Sequence, residues 1–168
     1  MKDVKYNQEL PLVLENLAGH GIFLTAGREK TNAMTIGWGS VGFYWGKPMF
    51  VVPVRQSRHT HDLIQAEGTF TVSVPAKDTM NEELLFCGTK SGRDVDKFAV
   101  LNLQKLPGRA QPVPVIGACP LHYECRVVMA QDMQPGLLES GLEQKCYGAG
   151  DYHTLYYGEI LACYRTDE

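Results

Sequence analysis

The sequence predicts a mainly β protein: a closed or nearly closed antiparallel barrel, Greek-key-like, with a few short peripheral helices. Three observations predict it. About six runs carry strand character, set apart by glycine- and proline-rich turns. No strand–helix–strand rhythm repeats, which argues against a doubly wound sheet. No linker, internal repeat or low-complexity tract divides the 168 residues, so residues 1–168 read as one domain.

The elements follow in order. Residues 8–18 read as a short helix with Leu10, Leu14 and Leu17 on one side, Pro11 in the first turn, and Gly19 and Gly21 as the stop. Residues 21–26 form a buried strand, and the polar turn 27–31 joins it to a second strand at 32–38, a hairpin candidate. Residues 38–45 read as a glycine-rich, aromatic loop. The very apolar run 48–54 is a strand whose Pro53 places it at an edge, an end or a bulge. A short helix at 60–66 has Thr60 as N-cap and Asp62 in its first turn. Residues 70–74 alternate, with Phe70, Val72 and Val74 on one face and Thr71 and Ser73 on the other. Thr79 and Glu82 form a capping box for a helix that Gly88 closes. A brief helical segment follows the turn 91–94. Residues 105–118 are loop-rich, 119–131 a long strand, 132–150 a loop, and 154–164 the last strand, with Gly158 marking a bulge or bend.

Totals limit the function classes. A chain of this size buries well over half of its unfolded surface and needs no staples. Net charge is −3, which argues against a nucleic-acid module. The basic cluster Arg55-Gln56-Ser57-Arg58-His59-Thr60 stands out on that acidic background and points to a small anionic ligand. Five cysteines without a CxxC pair argue against a zinc ribbon and against a complete disulfide framework, and fit a reducing cytoplasm. Each reads first as a small buried hydrophobe; Cys87, before a glycine-rich turn, is the one to watch. No signal peptide is visible at the N-terminus, and no apolar run approaches the ~18 residues of a membrane span.

Two motifs mislead. Gly37-Trp38-Gly39-Ser40-Val41-Gly42 spells G-x-G-x-x-G, but a dinucleotide fingerprint must open a helix, and Phe43-Tyr44-Trp45-Gly46-Lys47-Pro48 cannot. His59-Thr60-His61 suggests a metal chelate, yet residues two apart on a helix do not converge, and Leu63 stands where a metallohydrolase pattern needs aspartate. No metal is therefore assigned. The Arg55–Thr60 cluster carries more: guanidinium forks match phosphate oxygens, hydroxyls add donors, and a helix mouth adds backbone N–H groups and a favourable dipole. A solvated basic turn would have the same composition. The aromatics Trp38, Phe43, Tyr44 and Trp45 could stack on a planar ligand or pack a core or dimer.

At this point several motifs, in order, carry a resemblance: N-x-M-T at Asn32, Met34 and Thr35; V-R-x-S-R-x-T at residues 54–60; Cys87-Gly88; S-G-R-D-V-D-K-F at residues 91–98; Gly150-Asp151-Tyr152-His153; and Gly158-Glu159-Ile160. Together they resemble the flavin reductase-like FMN-binding family, in its flavoredoxin branch. The resemblance implies an FMN-binding split β-barrel, a homodimer, and a flavoprotein oxidoreductase in the cytoplasm. FMN is the implied cofactor, with NADH or NADPH as electron donor, or a redox protein partner in a flavoredoxin-type carrier; neither nucleic acid nor membrane is implied. Asn32, Met34 and Thr35 would lie by the flavin ring. Arg55, Ser57, Arg58 and Thr60 would hold the phosphate. Ser91, Gly92 and Lys97 would contact the ribityl chain or the far ring edge, and Lys97 or Arg93 would stabilise the reduced state. His153 would stand by the open face as the catalytic candidate, although Tyr152 intervenes where the branch reads Asp-His directly.

Overall fold

The structure, a computed structural model, describes residues 1–166. Its frame is one eight-stranded antiparallel sheet, in the order β3 (Asn32–Ile36), β2 (Ile22–Ala26), β6 (Thr69–Val74), β9 (Leu121–Asp132), β10 (His153–Arg165), β5 (Lys47–Arg55) and β4 (Ser40–Tyr44), with β1 (Lys2–Asp3) pairing the end of β10. A separate two-stranded piece joins β7 (Lys105–Leu106) to β8 (Val115–Ile116). Among the described residues no ladder joins β3 to β4, so the sheet is curled but not closed by hydrogen bonds.

Burial explains the curl. The inner face gathers Ile22, Leu24, Met34, Ile36, Phe50, Val52, Val54, Phe70, Val72, Val74, Leu121, Tyr123 and Tyr156 into one apolar cluster. Val13 and Leu17 of helix α1 (Leu10–Ala18) and Ile64 of α2 (His59–Glu67) complete it. A second cluster lies on the outer face of β2 and β3, where Phe23 and Ala33 meet Leu84 and Cys87 of α3 (Asn81–Thr89) and Phe98 of α4 (Lys97–Val100). β2 is therefore buried along its whole length.

The alternation in β6 holds, with one refinement. Thr71 and Ser73 face away from the apolar cluster but are also buried. Thr71 donates to the Pro114 carbonyl at 2.7 Å, and Ser73 Oγ accepts from Ile116 N at 3.1 Å. The proline-rich stretch covers that face. Its turn is held by the fully buried Glu124, whose carboxylate accepts from the backbone N–H groups of Arg109, Ala110 and Gln111 and from Tyr164 Oη. Such a carboxylate offsets its desolvation by accepting several hydrogen bonds.

Four expectations need correction. Residues 40–44 are a strand, not part of a loop: β4 pairs β5 from Ser40↔Val51 to Tyr44↔Lys47, and Trp45 and Gly46 turn the hairpin at positive φ. The segment 132–150 contains α5 (Ser140–Tyr147), hidden by Gly141 and capped by the Glu139 carboxylate, which accepts from Gly141 N and Leu142 N. The 79–82 capping box does not form, because Thr79 Oγ1 donates to Ala76 O while α3 starts at Asn81 and runs past Gly88 to Thr89. Arg58, not Thr60, occupies the N-cap of α2.

Gly158 does mark a bulge, with the β9 register shifting between Tyr157 and Gly158. An added Cβ there would meet the Phe70 ring and lie 2.8 Å from Cys125 Cβ. We predict that Gly158→Ala lowers stability by about 1–3 kcal/mol, the usual cost of overpacking a core. Chemical denaturation measures it; an unchanged midpoint would contradict the packing.

Candidate functional site

Four segments converge where the sheet fails to close. Among the described residues β3 pairs only with β2 and leaves its other edge open. β5 pairs with β4 only as far as Val51, so from Val52 to Arg55 it pairs, among the described residues, with β10 alone. Proline is tolerated at such an edge because no partner needs its N–H, and Pro53 sits there as its sequence position suggests. Behind the open edges stand the 89–96 connection from α3 to α4 and the turn from α5 to β10.

Between them lie two adjoining cavities. The first, about 190 Å³, is lined by Met34, Thr35, Trp38, Pro53, Arg55, Arg58 and His153 among others. The second, about 290 Å³, is lined by Asn32, Met34, Arg55, Ser57, Arg58, Thr60, Ser91, Gly92, Lys97 and Asp151 among others. Met34, Arg55 and Arg58 line both. The cleft thus brings together all eleven site residues picked from the sequence. Arg93 lies apart, lining neither cavity and bonding Ser57 O at 2.8 Å and Asp62 at 2.6 Å.

Several of these side chains are held by the fold. Asn32 donates to Thr60 Oγ1 at 2.9 Å, which leaves the Thr60 hydroxyl proton available. Gly92 packs so closely on Asn32 that a Cβ would overlap the Asn32 amide. Thr35 Oγ1 donates to Leu84 O at 2.6 Å, and Arg58 Nη2 donates to Gly88 O at 2.6 Å. Arg55 donates to Asp151 O at 2.7 Å and Cys146 O at 2.9 Å, and lies over the Tyr147 ring. Ser57 gives both its backbone N–H and its hydroxyl to the Asp151 carboxylate. An arginine has five donors, so Arg55 and Arg58 keep most of theirs.

The electrostatics favour a bound anion. Lys97 is 3% exposed, its ammonium donating to Ala33 O at 2.8 Å and Cys87 O at 2.9 Å. Burial, aided by Arg58, pulls its pKa down to about 8. His59 is also held below its ordinary value, first by burial and then by Arg93, and its Nδ1 is buried without a hydrogen-bond partner among the described residues. Burial, with Arg55 next, pushes His153 down to about 4. Its Nδ1 meets Tyr147 Oη at 2.6 Å and its ring lies against Trp38. Cys87 is fully buried and pushed up to about 11, chiefly by burial, so it stays a thiol. His59 and His61 sit in the first turn of α2, and no group of three or more metal-ligating side chains occurs among the described residues.

The Flavin reductase like domain model matches residues 17–168. The chain belongs to this family. An uncharacterized protein of Archaeoglobus fulgidus is 33% identical over 138 residues, covering 82% of this chain and 67% of that protein. The flavoredoxin of Methanosarcina acetivorans superposes with a TM-score of 0.68 at 28% identity, covering 88% of this chain and 69% of that one. The Streptomyces globisporus NADH:FAD oxidoreductase SgcE6 shares the fold, with a TM-score of 0.66 at 20% identity over 99% of this chain and 87% of that one.

The fold around the open-edge cleft is thus that of the flavin reductase-like family. Sequence reasoning missed Asp151, which lines the cleft, and Tyr147, which contacts its lining residues Arg55 and His153. The only signal for Tyr147 was the Glu139 cap that starts its helix, and Asp151 stood inside a quoted motif without a role.

The shifted groups make stability depend on pH. Lys97 is depressed below its ordinary 10.5, so the unfolded chain binds more protons between about 8 and 10.5, and stability rises with pH across that window. His153 is depressed below 6.5, so stability falls as pH drops from 6.5 toward about 4. We predict that Lys97→Met flattens the alkaline rise and His153→Gln the acid fall. Urea unfolding across both windows reads this, and parallel curves for wild type and variants would contradict it.

Proposed function

We propose that the chain is an FMN-binding oxidoreductase, an NAD(P)H-dependent flavin reductase whose flavin lies along the cleft between β3 and β5. The observation carrying this reading is the pairing of two cavities through Met34, Arg55 and Arg58. One is walled by Trp38 and His153, suited to a flat ring. The other presents Arg55, Ser57, Arg58 and Thr60, a donor set suited to a phosphate. Together they fall within the size range of small-molecule sites.

Bound FMN would supply the redox chemistry itself, accepting a hydride at N5 from a nicotinamide. The protein's part is to hold and expose. Arg58 and Thr60, with Arg55 and Ser57 after exchange of their present partners, would hold the phosphate. Asn32, Met34 and Thr35 would line the ring. Ser91, Gly92 and Lys97 would meet the ribityl chain or far ring edge, and the Lys97 ammonium would stabilise negative charge on the ring. His153, neutral at physiological pH, would stand on the open face.

A homodimer is part of the proposal. Phe43, Tyr44 and Trp45 are about half or more exposed on the β4–β5 hairpin, beside Tyr157, and contiguous exposed apolar surface of this kind marks an interaction face. A second reading is a flavoredoxin-type carrier reduced by a protein partner, favoured by the 28% identity to the Methanosarcina protein. No described helix is long and apolar enough to cross a membrane.

Titration with FMN tests the site. We expect Arg58→Ala to weaken FMN binding by roughly ten- to 150-fold, the equivalent of about 1.5–3 kcal/mol for a charged hydrogen bond; unchanged affinity would sink the phosphate assignment. His153→Ala should keep FMN bound and alter turnover with NADH or NADPH. Stopped-flow bleaching of the flavin band by either nucleotide supports the reductase, and no bleaching supports the carrier.

A further inference from the structure

α5 ends against two of the residues that line the cleft, Arg55 and His153. Its last residue, Tyr147, is buried, and its hydroxyl lies 2.6 Å from His153 Nδ1 and 3.2 Å from Met133 Sδ. The tyrosine ring is held by two contacts, stacked on Tyr152 at 4.8 Å and 7°, with the Arg55 guanidinium over it at 5.1 Å. Its rotamer is therefore set before any ligand arrives.

The hydroxyl has one proton and two neighbours. A thioether is a weak acceptor and an unprotonated imidazole nitrogen a good one. The 2.6 Å separation is that of a strong hydrogen bond. His153 is also kept neutral by its surroundings: burial and the cations Arg55 from β5 and Arg58 from the start of α2 outweigh Asp151 in the turn before β10. A neutral imidazole that accepts at Nδ1 must carry its proton on Nε2. Nε2 has no partner among the described residues, and His153 lines the cavity beside Trp38.

We infer that Tyr147 is a positioning residue whose hydroxyl fixes His153 as the Nε2–H tautomer, a constant hydrogen-bond donor in the cleft suited to a carbonyl oxygen of the ligand. His153 is then a polarising donor, not an acid–base group that changes charge in the working pH range. The carbonyl role rests on the flavin site proposed above; the tautomer does not.

The test uses the full chain labelled with ¹⁵N-histidine, the His153 nitrogens being assigned by their loss in His153→Gln. NMR is expected to show Nε2–H in wild type, persisting as pH falls well below 6.5, the ordinary histidine value. In Tyr147→Phe, which keeps both ring contacts, the tautomers should mix and His153 should take up a proton at higher pH. Its nicotinamide oxidation should acquire a pH dependence that wild type lacks. Met133→Leu should leave the Nε2–H form intact. An Nδ1–H tautomer in wild type, or an unaltered tautomer and titration in Tyr147→Phe, would overturn the inference. If Tyr147→Phe fails to fold, the wild-type tautomer decides alone. Failure of FMN to bind would count against the proposed function and not against this inference.

Discussion

An unclosed sheet is the constraint on which the rest depends. Open strand edges leave backbone donors and acceptors that need partners, and proteins pair, cover or use them. Here β3 and the second half of β5 are left without a common ladder. Lys97 Nζ reaches in to bond the Ala33 carbonyl, and Thr35 spends its hydroxyl on the Leu84 carbonyl of α3. These contacts fasten α3 and α4 behind the gap instead of filling it. The gap is therefore walled and kept open by the same interactions.

Charge follows from this arrangement. Arg55, Arg58 and Lys97 are drawn to one cleft, and each of them also bonds backbone carbonyl oxygens. Carbonyl partners hold a cation in place without cancelling its charge, whereas carboxylate partners would. Among the described residues Asp151 is the one carboxylate lining the second cavity, and its side chain bonds Ser57 rather than either arginine side chain. A cleft that stays positive on a chain of net charge −3 is suited to a small anionic ligand.

Much of this was legible in the sequence. The long apolar runs gave β5, β6, β9 and β10 because burial enforces their period, and Pro53 and Gly158 marked an edge and a bulge by geometry alone. That the basic cluster would gather in a cleft was legible because guanidinium, hydroxyl and helix mouth fall within six residues. What could not be read was set by distant partners. β4 is a strand because β5 offers it an edge, although its glycines and aromatics resemble a loop. Thr79 and Glu82 fit a capping box, but Thr79 bonds Ala76 instead. Arg93 belongs to a matching motif, yet Asp62 and Ser57 hold it outside the cleft. Tyr147 reaches His153 only because α5 folds back over the start of β10.

The central claim is that four separate segments form one flavin cleft. Hydrogen exchange with and without FMN tests it most directly, since bound ligand raises protection where backbone is ordered by contact. The account predicts added protection in residues 32–36, 55–60, 88–97 and 146–153 together. Protection confined to one of these segments, or falling on the β4–β5 hairpin alone, would contradict it.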